Sequence, residues 1–398
     1  MPQTAPSRLS DPISSYTSTF SPELDLILAC CSEDSGGHGP ARIQQILGHG
    51  IDWDRLLRLA QHHGLVPLVY RCLSTAVEVS QSAFLEALRQ QDKVNAHQTL
   101  WLTVELLHLH RHLAARGLEV LPYKGPLLAE LLYGNVTLRQ FSDLDFLVRA
   151  PDLPRIKAAL ADLGYEPGLR LTQAAERAYL KSGYEYTFDG ARGRNLLEIK
   201  WRILPQFYAI SFDVDDFFQR AVAATVQGQR LRTLCDQDLM LVLCVHAAKH
   251  GWKQLSWLCD IAQLARSRAL NWAALLAQAE RLGIERIVSV TLLLAQKLLG
   301  ATVPAPLDLE RDARAEGLAL RILQLIVAEE EFDPESAAYF RLMLELRERR
   351  QDRASFLWRL CVTPGVGEWS AIQLPRPLFP LYRVVRVCRL ARRLVSSR

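Results

Sequence analysis

Apolar residues recur at helical spacing from residue 22 to 115 and again from about 229 onward, but that spacing breaks down between the two stretches. In "WDRLLRLAQHHGLVPLVYRCL" and "QTLWLTVELLHLHRHLAARG" they return three and four positions apart, the repeat of an amphipathic helix. "DLMLVLCVHAAKHGW", "LSWLCDIAQLARSRAL", "WAALLAQAERLG" and "IVSVTLLLAQKLLG" do the same and read as a helical bundle. Between these stretches the runs are short. "LEVLPYKG" reads as a strand ending at Gly125, and "PLLAELLY" as a helix with Pro126 at a tolerated first-turn position. "DLDFLVRA" is a strand, "LPRIKAALADLGYEP" a helix ended by Gly164, and "YEYTFDG" and "NLLEIKWRI" are strands around a Gly- and Arg-rich turn. The expected class is α/β (α+β), a small mixed sheet with helices at 116–225. Helical regions at 22–115 and 226–398 flank it, and the Ser/Thr/Pro-rich residues 1–21 are expected to be disordered.

Within that sheet, "RQFSDLDFLVRA" places Asp143 and Asp145 one residue apart as the chain enters a buried strand. In a strand, residues i and i+2 point to the same face. Two carboxylates on one face repel unless a cation sits between them, so this is either the wet end of a strand or a metal site. If metal supplies the compensation, each aspartate should titrate above an isolated one without it. Glu198, in "LLEIKW", lies on a strand that can run alongside. Gly125 ends the preceding strand at a helix start, where backbone N–H groups and the positive helix end receive phosphate. Three carboxylates facing a phosphate site are what two-metal phosphoryl chemistry requires, with divalent ions about 3.5–4 Å apart. Magnesium suits hard carboxylate oxygens and keeps waters for substrate phosphates; two Mg²⁺ ions are expected, with Mn²⁺ as the alternative.

"YKGPLLAELLYGNVTLRQFSDLDFLV" followed by "LLEIKW" resembles the polymerase-beta-like nucleotidyltransferase superfamily. More closely, it is similar to uncharacterised bacterial nucleotidyltransferases whose core reads Lys-Gly, Arg-x-x-Ser-Asp-x-Asp and Glu-x-His-Trp. The similarity covers roughly residues 45–270 and, more weakly, the Pro-rich end near "LPRPLFPLYRVVRVCRL". The resemblance implies a minimal nucleotidyltransferase core between helical regions. It implies transfer of a nucleoside monophosphate from a nucleoside triphosphate to an acceptor, with release of pyrophosphate. Asp143, Asp145 and Glu198 would be the catalytic metal ligands. Lys124, Gly125 and Ser142 would serve the nucleotide phosphates, Arg139 would pair with phosphate or brace the Asp loop, and Lys249 would reach the triphosphate across the cleft. Two positions depart from the pattern: Pro126 follows Gly125 where Gly or Ser is usual, and Lys200 stands where the close group has His. These departures keep a second reading open, a non-catalytic nucleotide-binding or antitoxin-like interaction protein that retains the fold. The acceptor is open among a small molecule, sugar, peptide, protein or RNA end.

Other features have plainer explanations. His246 and His250 share a helix face, but Ala247 follows His246, so this is not the HExxH of a zinc protease, and cleft or core histidines are expected. Asp260 is expected to cap or brace the bundle, and Lys249 can equally be a solvated lysine. Arg383, Arg386, Arg389 and Arg393 form a stripe, expected to be solvated while the helix packs its apolar face on its own domain. A net charge of +4 does not indicate a nucleic-acid partner. None of the eight cysteines forms a CxxC pair, which excludes a zinc ribbon and a thioredoxin motif and suits a reduced cytoplasmic setting. The first 20 residues lack the apolar segment of a signal peptide, and no uncharged apolar run approaches the roughly 20 residues of a membrane helix.

Overall fold

Asp143–Leu147 and Leu196–Lys200 pair in parallel at the centre of a five-stranded sheet, and everything else in the fold is arranged around that pair. The computed structural model describes residues 20–32, 39–75, 83–190, 196–303, 312–330 and 336–396. Most of the expected disordered N-terminus, and the Gly- and Arg-rich turn before Leu196, lie outside them. The N-terminal helices are α1 (Pro22–Cys31), α2 (Gly39–Leu47), α3 (Trp53–His62), α4 (Val66–Leu73) and α5 (Ala83–Ala114). The core follows as β1 (Leu121–Pro122), α6 (Gly125–Tyr133), β2 (Asp143–Leu147), α7 (Leu153–Ala161), β3 (Glu166–Pro167), α8 (Gln173–Ser182), β4 (Glu185–Asp189) and β5 (Leu196–Lys200). Helix α9 (Val214–Arg220) leads into a hairpin of β6 (Val222–Val226) and β7 (Gln229–Thr233), which crosses the expected start of the C-terminal region at 226. The remaining helices are α10 (Asp236–Lys249), α11 (Leu255–Ser267), α12 (Trp272–Leu282), α13 (Glu285–Leu299), α14 (Ala313–Val327), α15 (Ala337–Glu345), α16 (Arg350–Val362), α17 (Val366–Ala371) and α18 (Tyr382–Ser396).

The strand order is β1-β2-β5-β4-β3, with β2–β5 parallel and the other pairs antiparallel, so the sheet is mixed. Its two faces follow from the period of two along each strand. Leu144, Phe146, Leu197, Ile199, Tyr186 and Phe188 point to one face and are buried together with residues of α7 and α8. Each such Leu, Ile or Phe contributes about 1.5–3 kcal/mol by leaving water. The alternate residues Asp143, Asp145, Glu198, Lys200 and Glu185 point to the other face, toward the helical flanks. The flanks are not independent layers. Leu26, Leu56 and Val69 of the N-terminal helices share one apolar core with Leu241, Leu258 and Leu292 of α10, α11 and α13.

The C-terminal helix α18 departs from expectation at Arg386 and Arg389, while Arg383 stays exposed and Leu390 packs on the core. Arg386 is buried, donates from Nε to the Leu360 carbonyl at 3.1 Å and lies 3.5 Å from Glu368 Oε1. Arg389 reaches the same carboxylate oxygen at 3.2 Å. Val384 and Val387 face solvent instead. Glu368, itself 1% exposed, needs cationic partners, and that demand turns the helix. Among the described residues no helix is long and apolar enough to cross a membrane, and all eight cysteines are free thiols.

Candidate active site

The parallel register sets Asp145 directly opposite Glu198, with Asp143 two residues earlier on the same face. One carboxylate oxygen from each of the three lies within 4.8 Å of the others. They sit at the floor of a cleft of ≈ 580 Å³ between the sheet and the two helical flanks. Gln91 and Asn95 of α5 wall one side; Lys249, His250 and Trp257 wall the other; Ser142 stands exposed at the mouth.

Gly125 holds the floor close. Its φ is +55°, in the left-handed region, and a Cβ there would lie 3.2 Å from the Asp143 carbonyl oxygen. Only glycine combines that backbone with that approach. The tight turn lets α6 start against β2. Lys124, just before it, is buried, with Nζ 3.7 Å from Asp145 Oδ1 and 3.2 Å from Nδ1 of His246 on α10.

Lys200 is the group that changes the reading of this site. Two residues beyond Glu198 on the same strand face, its Nζ donates to Asp145 Oδ1 at 2.6 Å and contacts Glu198 Oε2. Glu185, its cross-strand partner on β4, has Oε2 at 3.5 Å. The opposing charges explain the titration of the site. Burial pushes Asp145 up, but Lys124 and Lys200 outweigh it and hold the carboxyl well below the usual range. Asp143 is raised by burial and by the Asp145 carboxylate. Burial raises Glu198 to about 7 against the pull of Lys200. The expectation that both aspartates titrate high without metal is therefore corrected for Asp145, because lysines already supply the compensating charge.

The carboxylate set still fits a divalent ion. Asp145 Oδ2 is buried without a hydrogen-bond partner among protein groups, Asp143 lies beside it, and both offer hard oxygen donors.

Arg139 is turned into the protein. Its Nε donates to Asp260 Oδ2 at 2.9 Å and to Oδ1 at 3.2 Å, while Tyr133 OH donates to Oδ1 at 3.0 Å. This buried trio ties the loop before Asp143 to α11. Lys249 Nζ lies 3.4 Å from Tyr184 OH at the cleft wall, and burial lowers it to about 8. His246 packs edge to face on His250 and Trp257, and His250 lies tilted against Trp257, with ring centroids 4.8–5.2 Å apart. Sequence reasoning missed Glu185 and treated Lys200 only as a departure. The signal was present in the period of two, which puts Lys200 on the Glu198 face.

A mixed sheet that presents three convergent carboxylates beside a glycine-started helix defines the nucleotidyltransferase class. The chain belongs to the family described as uncharacterised nucleotidyltransferase, whose model matches residues 49–300. No curated protein sequence matches it. Among solved structures, the solution structure of the antibiotic-resistance factor ANT(2'')-Ia aligns with 45% of this chain and 90% of its own, at 16% identity and a TM-score of 0.33.

Proposed function

We propose that the chain transfers a nucleoside monophosphate from a nucleoside triphosphate to an acceptor hydroxyl. The observation that carries this reading is the convergence of Asp143, Asp145 and Glu198 at the floor of a cleft rimmed by cationic and polar groups. Asp143, Asp145 and Glu198 are the residues that would hold divalent metal, Mg²⁺ or Mn²⁺, which when bound neutralises phosphate charge and polarises the α-phosphate. In this reading the start of α6 at Gly125 and the exposed Ser142 hydroxyl would receive the phosphates. Lys249 offers a charge-assisted contact from the opposite wall. The acceptor oxygen bonds to the α-phosphorus, the bond from that phosphorus to the bridging oxygen breaks, and pyrophosphate leaves. The hydroxyl proton passes to Glu198. Catalysis of this kind is mainly positioning and charge neutralisation. The domain division that goes with it is a core at 116–225 walled by helical regions at 22–115 and 226–398.

One observation favours a second reading. Lys200 engages two of the three carboxylates, as it would in a protein that binds nucleotide without turning it over. The test is pyrophosphate release from each of the four triphosphates with Mg²⁺ or Mn²⁺, together with mass spectrometry of acceptors and of the chain itself. Release that Asp143→Asn abolishes supports transfer. Tight nucleotide binding with no cleavage, even to water, supports the second reading.

A further inference from the structure

We propose that the Lys200 ammonium group takes the place of one of the two divalent ions, so that this site holds a single ion on Asp143 and Asp145. The inference depends on the nucleotidyl-transfer reading for what the ion does, but not for how many bind. Lys200 lies where an ion shared by Asp145 and Glu198 would have to sit: it donates to Asp145 Oδ1 at 2.6 Å and contacts Glu198 Oε2. Its side chain is only 6% exposed and is held among the carboxylates at the cleft floor. It is also anchored from outside the triad, because the antiparallel register sets Glu185 directly across from it. An ion that displaced the ammonium would leave it buried against Glu185 alone, and a poorly compensated buried charge is costly.

The ligand oxygens point to the same count. The oxygens left for that ion are those of Asp143 and the unpartnered Asp145 Oδ2, since Asp145 Oδ1 already receives Lys200 and lies within reach of Lys124.

The test counts ions in the full chain, using Mn²⁺ with inorganic triphosphate as the probe, by equilibrium binding and electron paramagnetic resonance. The parent is expected to bind one Mn²⁺ at the protein and to show the signal of an isolated ion. Lys200→Met and Lys200→Gln are expected to bind two and to show the exchange-coupled signal of a carboxylate-bridged pair. A coupled pair in the parent overturns the proposal, as does a folded Lys200 variant that still binds one ion. If neither variant folds, the parent spectrum alone decides. A parent that releases pyrophosphate but binds two ions sinks the role of Lys200 and leaves transfer standing. A parent with one ion and no turnover does the reverse.

Discussion

The Arg139–Asp260 pair offers a sharp test of how the helical flank holds the catalytic loop. Arg139 lies four residues before Asp143, and Asp260 sits on α11. Their side chains are 10% and 1% exposed, so neither charge has water as an alternative partner. Asp260→Asn preserves shape and leaves an acceptor for Tyr133 OH, but leaves the buried guanidinium without its paired carboxylate. Removing one partner of a buried pair costs about 3–5 kcal/mol, so the folded-to-unfolded ratio should fall by about two to four orders of magnitude. Replacing both, as Arg139→Met with Asp260→Leu, removes the stranded charge and should cost less than Asp260→Asn alone. The coupling between the sites should then reach about 2 kcal/mol or more. Urea unfolding of the parent, both singles and the double measures that coupling. Hydrogen exchange over residues 139–143 reports whether the loop itself loosens. Singles that each cost under about 1 kcal/mol and add up in the double would mean that the pair holds nothing, and the loop is positioned by its backbone.

Three further outcomes are expected. Gly125→Ala combines the +55° φ with a Cβ 3.2 Å from the Asp143 carbonyl; it should lower stability by about 1–2 kcal/mol and weaken Mn²⁺ binding, as calorimetry would show. Lys249→Met should weaken nucleotide binding by about 1–3 kcal/mol with little change in melting temperature. In the parent, Lys249 is charged below about 8, so nucleotide affinity should decline as pH rises through that value and stay flatter in the variant. His63 is buried, and burial lowers its folded-state value from 6.5 to about 4. A base depressed by folding stabilises the fold fully above its unfolded value, and that contribution is lost as pH falls. Between about pH 6.5 and 4 His63 should add up to ~1.4 kcal/mol per pH unit of acid destabilisation, which His63→Phe removes in pH-dependent urea melts.

The local layers of this molecule were legible in the amino-acid order. The switch from helical spacing to short alternating runs after residue 117 marks where the sheet begins. Period two along "DLDFL" and "LLEIK" puts Asp143 with Asp145, and Glu198 with Lys200, each pair on one side of its strand. The expected strand over "LEVLPYKG" shrinks to Leu121–Pro122, because only those two residues find a partner on β2.

What lay beyond the sequence are facts of pairing between distant segments. A slip of one residue between β2 and β5 would turn Glu198 away from Asp145, and nothing local to either strand sets that register. Lys200 becomes a counter-ion only once the sheet closes and brings Asp145 within 2.6 Å from 55 residues away. Asp260 reaches Arg139 across 121 residues, and His246 reaches Lys124 across 122. Local sequence determines which face a side chain points to. What it meets there is decided by packing, because burying a charge is tolerable only where the rest of the fold delivers its partner.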